Sequence, residues 1–305
     1  MNMDATNPWP RRAALSAALL TAPILLIGGT VTTLRVGMAV PDWPTTFQQN
    51  MFTYPLSEML KDAGVFWEHG HRLWGALVGL AVLATCVLTL LLERARHLRL
   101  LSVVALAAVT GQGLLGGFRV LENSPHLAFL HGTFAQGLFA LFAAQALLHS
   151  SGWRGAPARS SAQAAFLRRF GLGTASLLYV QIALGAWVRH NGGTHALFAH
   201  MALALVATGL VVLLGAACGK AAEEGGADAP RWRGLKRRLH LLLGTQVVLG
   251  ILTAVWVYIV TGPANPVSVG EAIFATLHVA TGALLLWTTV SCVLWAHRTL
   301  RPASA

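Results

Sequence analysis

The sequence predicts an all-α integral membrane protein with eight transmembrane helices. Of its 305 residues, 55% are hydrophobic and 11% are charged, whereas soluble domains carry about 25% charged residues. The mean hydropathy is +0.61. Eight apolar stretches reach the roughly 20 residues that a helix needs to cross a bilayer core about 30 Å thick. These three observations exclude soluble, disordered and disulfide-rich secreted proteins.

The apolar stretches are separated by short polar or basic segments. Uninterrupted apolar runs of this length exclude the alternating strands of a membrane barrel. An even number of spans places both termini on the same side of the membrane. The first span is too long for a signal-peptide core, so we expect this helix to be retained. The predicted spans are 13–34, 69–92, 100–121, 126–148, 170–190, 195–217, 239–260 and 271–297.

The distribution of charge predicts the orientation. Of the 22 Lys and Arg residues, 17 lie on the side of the termini and 5 on the other, although the formal net charge is +11 overall. The positive-inside rule therefore predicts a multi-pass protein of the cell (inner) membrane with both termini in the cytoplasm. The basic residues have little aromatic interleaving, which argues against nucleic acid and makes the lipid bilayer the expected partner. The three cysteines lie inside spans without CxxC spacing, so neither a disulfide nor a zinc site is predicted.

A short motif, Q-x-x-L-G, indicates an internal repeat of helical hairpins. In two copies the glutamine precedes a histidine of the next helix by 19 residues. A third copy reaches its histidine after a longer loop, and a fourth, weaker copy begins at Gly28-Gly29. The three clear copies are Gln112–Gly116, Gln181–Gly185 and Gln246–Gly250.

Each hairpin carries one histidine near the outer end of its second helix. These histidines are His71, His131, His200 and His278. A lone membrane histidine is usually a hydrogen-bonded core residue, but four in register favour ligation of a metal or a haem. Zinc would favour clustered ligands with cysteine or carboxylate nearby. These histidines instead come one per helix and in two pairs, which favours a role as axial ligands of two haem irons, one in each half. Small residues near them, such as Gly75, Gly132 and Gly282, would let the flat macrocycle approach the helix backbone.

A glutamate and three arginines complete the candidate site. Glu68 lies three residues before His71, on the same helical face. A carboxylate near a haem edge takes protons or stabilises positive charge, whereas the structural alternative is an acid at a helix start. Arg72, Arg119 and Arg189 are outer-side cations that either bind haem propionates or snorkel to the interface.

Five segments together resemble the heme A synthase family, over nearly the whole chain. They are Val40–Thr46, Gln49–Phe52, Glu68–Leu73, Leu130–Gln136 and Leu277–Gly282. The resemblance implies two pseudo-symmetric four-helix bundles, which we assign to 1–150 and 151–305. Some bacterial members have a cysteine pair in the first outer loop, and this chain has Val40 and threonines there, so it is closer to the branch without those cysteines.

The resemblance also implies an activity. Such enzymes oxidise the C8 methyl of heme O to a formyl group by successive hydroxylations, giving heme A for cytochrome oxidase. It implies that His71 and His131 bind heme O as substrate, that His200 and His278 hold a heme b, and that Glu68 is catalytic. Heme O synthase and cytochrome oxidase assembly factors are the implied partners, and a homo-oligomer stays open.

Two other functions are compatible with parts of the sequence. A di-haem b-type cytochrome acting only as an electron carrier would have the same four histidines, and a haem transporter would have similar repeats. Glu68 and the Pro-Asp-Trp-Pro segment favour the enzyme. The electron donor, the oxygen source and the role of the second haem are left open by the sequence.

Overall fold

The computed structural model describes residues 7–262 and 265–302. Eight of its helices are long and apolar enough to cross a membrane, which confirms the predicted fold class. Helix α9 continues into a π-helical segment, Trp256–Thr261. In chain order the α-helices are Pro8–Thr33 (α1), Leu56–Met59 (α2), Ala63–Leu92 (α3), Arg96–Leu121 (α4), Pro125–Leu148 (α5), Ser151–Arg154 (α6), Ala164–Asn191 (α7), Thr194–Glu223 (α8), Ala229–Val255 (α9) and Val269–Thr299 (α10).

Several helices extend beyond the apolar runs that predicted them, because polar residues cap them outside the apolar segment. Helix α3 begins at Ala63 rather than at the predicted residue 69, since the Asp62 carboxylate accepts a hydrogen bond from the Val65 amide at 2.9 Å. Glu68 therefore lies in the second turn, beyond the first turn in which the helix dipole favours an acid. Helix α10 likewise begins with a side-chain cap, in which Ser268 Oγ accepts from the Glu271 amide at 3.2 Å.

The chain divides into two compact units, and the first consists of Met1–His149 with Leu249–Ala280. In this unit α1 packs against α3 and α5, and α4 packs against the same two helices, so the four form a closed bundle. Small side chains such as Ala17 and Ala105 are buried in it beside Phe142. Such residues let helix backbones approach closely where no hydrophobic force acts between helices in lipid. The assignment of the bundles to 1–150 and 151–305 stays a prediction.

The second unit consists of Ser150–Val248 with Thr281–Ala305. Here α7 packs along α8, and two short strands, Arg159–Ser161 (β1) and Leu300–Pro302 (β2), pair in parallel. The strands were not predicted, because three-residue segments carry no hydrophobic period. The Arg168 guanidinium donates to the Ala296 carbonyl at 3.2 Å and to the Leu300 carbonyl, which ties β2 to α7.

Candidate functional site

All four predicted histidines lie with their rings against a glycine of the preceding transmembrane helix. A Cβ atom added to any of these glycines would lie 2.8 to 3.0 Å from the Cε1 atom of the ring, a separation that real Cβ atoms rarely or never show. The pairs are Gly28 with His71, Gly116 with His131, Gly185 with His200 and Gly250 with His278. Only glycine leaves room for an imidazole at these points.

The rings also share one orientation. In each pair Cε1 is nearest to the glycine, Nδ1 is next, and Nε2 is the most distant of the three atoms. The glycine of the Q-x-x-L-G motif is therefore the seat of the histidine ring, a contact that the motif alone did not reveal. Two of the glycines that the sequence suggested as small neighbours of the haem lie against other side chains, Gly75 near Ile24 and Gly282 near Gln246.

His71 and His131 face each other in the first unit. Their ring centroids are 6.2 Å apart, and the rings are inclined by 73°. Two imidazoles bound to opposite sides of one iron have centroids about 6 Å apart, because each coordinating nitrogen lies about 2 Å from the metal. The pair therefore has the separation that a haem iron requires.

His200 is oriented by hydrogen bonds to α7 in the second unit. Its Nδ1 donates to the Gln181 carbonyl at 3.1 Å, and the Gln181 side-chain amide donates to the His200 carbonyl at 2.9 Å. Because a carbonyl only accepts, Nδ1 carries the proton and Nε2 keeps the lone pair that an axial ligand needs; in this structure Nε2 lies 3.5 Å from the Gln181 side-chain nitrogen. The Gln112 amide donates in the same way to the His131 carbonyl, at 3.0 Å. His278 lies on Gly250, and its pairing with His200 stays a prediction.

Glu68 is buried with its charge compensated. Its side chain is 2% exposed, and Oε1 accepts from Arg72 Nη2 at 2.9 Å. Oε2 accepts from the Val40 backbone amide at 2.9 Å. Arg119 Nη2 lies 3.9 Å from Oε1 on another side. An unpaired carboxylate would be very costly here, and these contacts offset the cost of burying the Glu68 carboxylate.

Arg72 connects Glu68 to residues 34–62, the segment between α1 and α3. We call it the outer segment, after the side of the membrane on which the sequence predicts it. Besides Glu68, it donates to the backbone carbonyls of Val40 at 2.7 Å, Asp42 at 2.6 Å and Thr45 at 3.1 Å. Both terminal nitrogens of the guanidinium are thus used within the protein. Its predicted contact with a haem propionate stays a prediction, and the geometry shows that Arg72 holds the Pro-Asp-Trp-Pro segment to α3.

The outer segment has its own hydrogen-bonded centre at Asp42. Its carboxylate accepts from the Thr45 hydroxyl and from the amides of Phe47 and Gln48, the last two at 2.8 Å. Burial raises the pKa of Asp42, but these hydrogen bonds outweigh it and lower the pKa below its ordinary value. Farther along, Thr46 Oγ1 contacts His69 Nδ1 at 3.0 Å.

Trp43 inserts from this segment against α4. A Cβ atom on Gly117 would lie 2.4 Å from the Trp43 ring, so the ring rests directly on the helix backbone. The neighbouring Gly116 is the seat of His131. The outer segment therefore packs on the helix that supports one of the two facing histidines.

The two remaining arginines, Arg119 and Arg189, both lie in the last turn of a transmembrane helix. Arg119 donates to the Gly37 carbonyl at 3.1 Å and lies in the last turn of α4, with its side chain 20% exposed. Arg189 lies half-buried in the last turn of α7.

Sequence reasoning missed Val40 and Asp42 as partners of Glu68 and Arg72, because their contacts depend on how the segment between α1 and α3 folds.

Comparison with known proteins gives two matches. The family model COX15-CtaA, described as cytochrome oxidase assembly protein, matches residues 11–294. A protein of Exiguobacterium sibiricum named heme A synthase is 28% identical over 192 residues, which are 61% of this chain and 62% of that protein. The chain thus matches somewhat less than two thirds of the length of this relative.

Proposed function

Because the chain belongs to the COX15-CtaA family of cytochrome oxidase assembly proteins, we propose that it is a membrane-bound heme A synthase. The single observation that carries the proposal is the facing pair His71 and His131, 6.2 Å apart, with the buried Glu68 one helical turn from His71. The sequence similarity to a protein of that name supports it.

The substrate of this reaction is heme O, held in the first unit with His71 and His131 as axial ligands. Conversion of a methyl to a formyl group removes four electrons from the carbon, and the haem iron with its oxidant supplies that oxidising chemistry. The protein binds the macrocycle, orients the methyl edge and provides fixed charge beside it.

Glu68 contributes a fixed negative charge. The Arg72 ion pair and the Val40 amide occupy both carboxylate oxygens, which favours its second predicted role, the stabilisation of positive charge. A buried carboxylate near the haem edge stabilises positive charge that develops as the methyl carbon is oxidised. Arg72 keeps this carboxylate in place and shields it from solvent together with the outer segment.

Arg119 is the better of the two predicted propionate ligands in the first unit. Arg72 has already given its terminal nitrogens to four acceptors, whereas within residues 7–262 and 265–302 Arg119 donates a hydrogen bond only to the Gly37 carbonyl and keeps spare donors. One carboxylate beside two guanidinium groups also leaves one positive charge uncompensated. A haem propionate supplies the missing negative charge.

His200 and His278 are proposed as the axial ligands of a heme b. The hydrogen bond from His200 Nδ1 to Gln181 supports this, because such an outer contact orients a metal-binding histidine. The group would supply electron transfer or structural stabilisation. An oxidoreductase of this kind receives heme O from heme O synthase and gives heme A to cytochrome oxidase assembly.

The proposed location is the inner cell membrane with both termini in the cytoplasm, supported by the 17-to-5 division of Lys and Arg. A reporter fused after Ala305 is expected to behave as cytoplasmic, and one inserted between residues 42 and 62 as external. The reverse pattern would refute the orientation.

Replacement of Glu68 tests the reaction most directly. Glu68→Gln keeps the shape but removes the charge, so we expect haem binding to persist while heme A formation falls by about 100-fold or more. Mass analysis of extracted haems should show heme O or a partly oxidised haem accumulating. Glu58→Gln is the matched control, because Glu58 is exposed and pairs only with Lys61.

The same measurement separates the other candidate functions. Normal heme A formation by the Glu68 variant contradicts the catalytic role, and loss of all haem would place the residue in binding instead. A wild-type protein that retains only unmodified heme b is an electron carrier, and a purified protein without any haem favours the transporter.

A further inference from the structure

Helix α9 begins with a run of basic residues that leads into its apolar part. Arg233, Lys236, Arg237 and His240 recur at intervals of three and four residues, so they share one face of the helix. Together with Leu241 they line an open groove of about 640 Å³ in the second unit. We call this feature the basic groove.

Two glycines of α8 form part of the surface on which these side chains lie. A Cβ atom on Gly215 would lie 2.3 Å from His240 Nε2, and one on Gly219 would lie 3.1 Å from Lys236 Nζ. The glycines are one helical turn apart, as are the two basic residues. The absence of side chains on α8 therefore lets two basic side chains of α9 lie across it.

The cations of the basic groove have no acidic partner. Among the described residues, no carboxylate oxygen lies within 4.0 Å of any Arg or Lys side chain of the groove. Two acids of the same unit are used elsewhere, since Arg159 pairs with Glu224 at 2.8 Å and with Asp228 at 2.7 Å. Arg231 instead lies over the Trp295 ring, 3.6 Å from its centroid. The charge of the groove is thus available to an external anion.

The basic groove directly precedes the apolar part of α9, so on the predicted span of 239–260 Arg237 lies at headgroup depth and Arg233 lies beyond it. Arg237 and Arg233 precede Leu241 by four and eight residues, which is about 6 and 12 Å along a helix. A headgroup layer extends about 5 to 7 Å from the hydrocarbon core on each side. Leu241 of the groove is exposed, and beyond the groove Val248 and Ile251 are also exposed, so the apolar face of α9 continues directly from the cations.

We propose that the basic groove binds the phosphate of an anionic phospholipid, whose acyl chains lie along the exposed apolar face of α9. The lipid belongs to the leaflet on the side of the termini. Several Lys and Arg residues next to a transmembrane span attract anionic headgroups. A free phosphate would use the cations alone, whereas a lipid also uses the apolar surface that adjoins them. This inference is independent of the reaction proposed above.

The experiment uses the full-length protein in detergent with equal amounts of phosphatidylglycerol and phosphatidylcholine, and native mass spectrometry counts the lipids retained. The wild type is expected to retain phosphatidylglycerol selectively. The triple variant Arg233→Gln, Lys236→Gln, Arg237→Gln is expected to bind it more weakly by on the order of 100-fold. Unchanged selectivity in this variant would overturn the proposal.

Two controls make the result specific. The variant Arg96→Gln, Arg99→Gln, Arg238→Gln removes the same charge from exposed positions outside the groove, and it should bind within about twofold of the wild type. If both triple variants lose the lipid equally, general charge attraction explains the binding and the groove does not. If inorganic phosphate at the lipid's own concentration displaces the lipid from the wild type, the site recognises free phosphate, and the lipid assignment is wrong.

Two glycine-to-alanine variants, which leave the charge of the protein unchanged, test the proposal if the triple glutamine variant fails to fold. Gly215→Ala places a methyl group against His240 and is expected to weaken lipid retention by about tenfold or more. Gly209→Ala adds a methyl group to the same helix where nothing lies within 4 Å, and it should have no effect. Equal lipid retention by the two alanine variants would contradict the proposal.

Discussion

The first and third hairpins, α1 with α3 and α7 with α8, hold equivalent histidines in different ways. His71 and His200 lie on glycines at nearly the same distance. His200 donates through Nδ1 to the Gln181 carbonyl, and the Gln181 amide returns a hydrogen bond. In the first hairpin Ile24 stands in the place of the glutamine, and His71 Nδ1 has no hydrogen-bond partner within residues 7–262 and 265–302.

The two hairpins also differ in how their helices are connected. In the third hairpin α7 and α8 are joined by Gly192 and Gly193, both with positive φ angles of 71° and 99°. In the first hairpin residues 34–62 form the connection, and it contacts Glu68 and Arg72. The repeated part of each hairpin thus seats a histidine, and the connection, which is not repeated, supplies the backbone groups that bind Glu68 and Arg72. A tightly oriented ligand suits a permanent haem, and a less constrained one suits a haem that leaves as product.

The largest expected effect comes from the feature that the hairpins share. Gly185→Ala and Gly28→Ala each place a methyl group within 3 Å of an imidazole ring, so the ring must move away from its seat. Because overpacking costs about 1 to 3 kcal/mol, we expect haem retention in the affected half to fall by about tenfold or more. Absorption spectroscopy of the purified variants measures haem per polypeptide.

Gly173→Ala is the matched control on α7, since nothing lies within 4 Å of its added Cβ. If the variants at the seats keep as much haem as this control, the glycine seats have no part in haem binding. The comparison between the two hairpins would then lose its common element.

An intermediate effect is expected from exchanging the feature that differs. Gln181→Leu removes the amide that donates to the His200 carbonyl, a loss of about 1 kcal/mol or about fivefold in haem affinity. Ile24→Gln places a glutamine in the first hairpin and should slow the loss of haem there by a similar factor. The rate of haem transfer to an excess of apomyoglobin, with haem types identified by mass, measures both.

Unchanged rates of haem release in both variants would contradict this prediction. If Gln181→Leu releases heme b at the wild-type rate and Ile24→Gln leaves release unchanged, the glutamine does not account for the difference between the hairpins. The bond from His200 Nδ1 persists in either case, because it uses the backbone carbonyl of residue 181.

The smallest effect concerns the connection that only the first hairpin possesses. The pKa of Asp42 is lowered in the folded protein from an unfolded value of about 3.9, so its carboxylate stabilises the connection above that pH. This stabilisation is lost only as the pH falls through the lowered pKa. Hydrogen exchange at the Phe47 and Gln48 amides, corrected for intrinsic rates, should therefore show constant protection between pH 5 and 8.

Asp42→Asn should reduce that protection by about threefold at neutral pH, because the amide oxygen still accepts hydrogen bonds and only the additional strength of a charged acceptor, about 0.7 kcal/mol, is lost. Glu58→Gln, an exposed position of the same connection, serves as control. Wild-type protection that falls between pH 8 and 5, or an unaffected Asp42 variant, would show that Asp42 does not organise the connection.

The parts of the site that were predictable are those set by local spacing. His71 and His131 could be chosen from the sequence because each occurs at the same point of a repeated hairpin, and Glu68 because it lies one turn from His71. The glycine seats were present in the Q-x-x-L-G motif, but spacing does not say which residue of a motif touches a ring. The start of α3 at Ala63, six residues before the predicted start at 69, had a signal in the sequence, since Asp62 is a favoured N-cap residue.

By itself the sequence determined that the chain crosses a membrane eight times and that its histidines recur in register. Both follow from patterns within single helices, where the rise per residue fixes what lies on each face. Only the tertiary structure decided that Arg72 is engaged by three backbone carbonyls and that Val40 donates to Glu68. Those carbonyls and that amide lie 27 to 32 residues away in the chain, and the connection presents them to α3 only after it folds back.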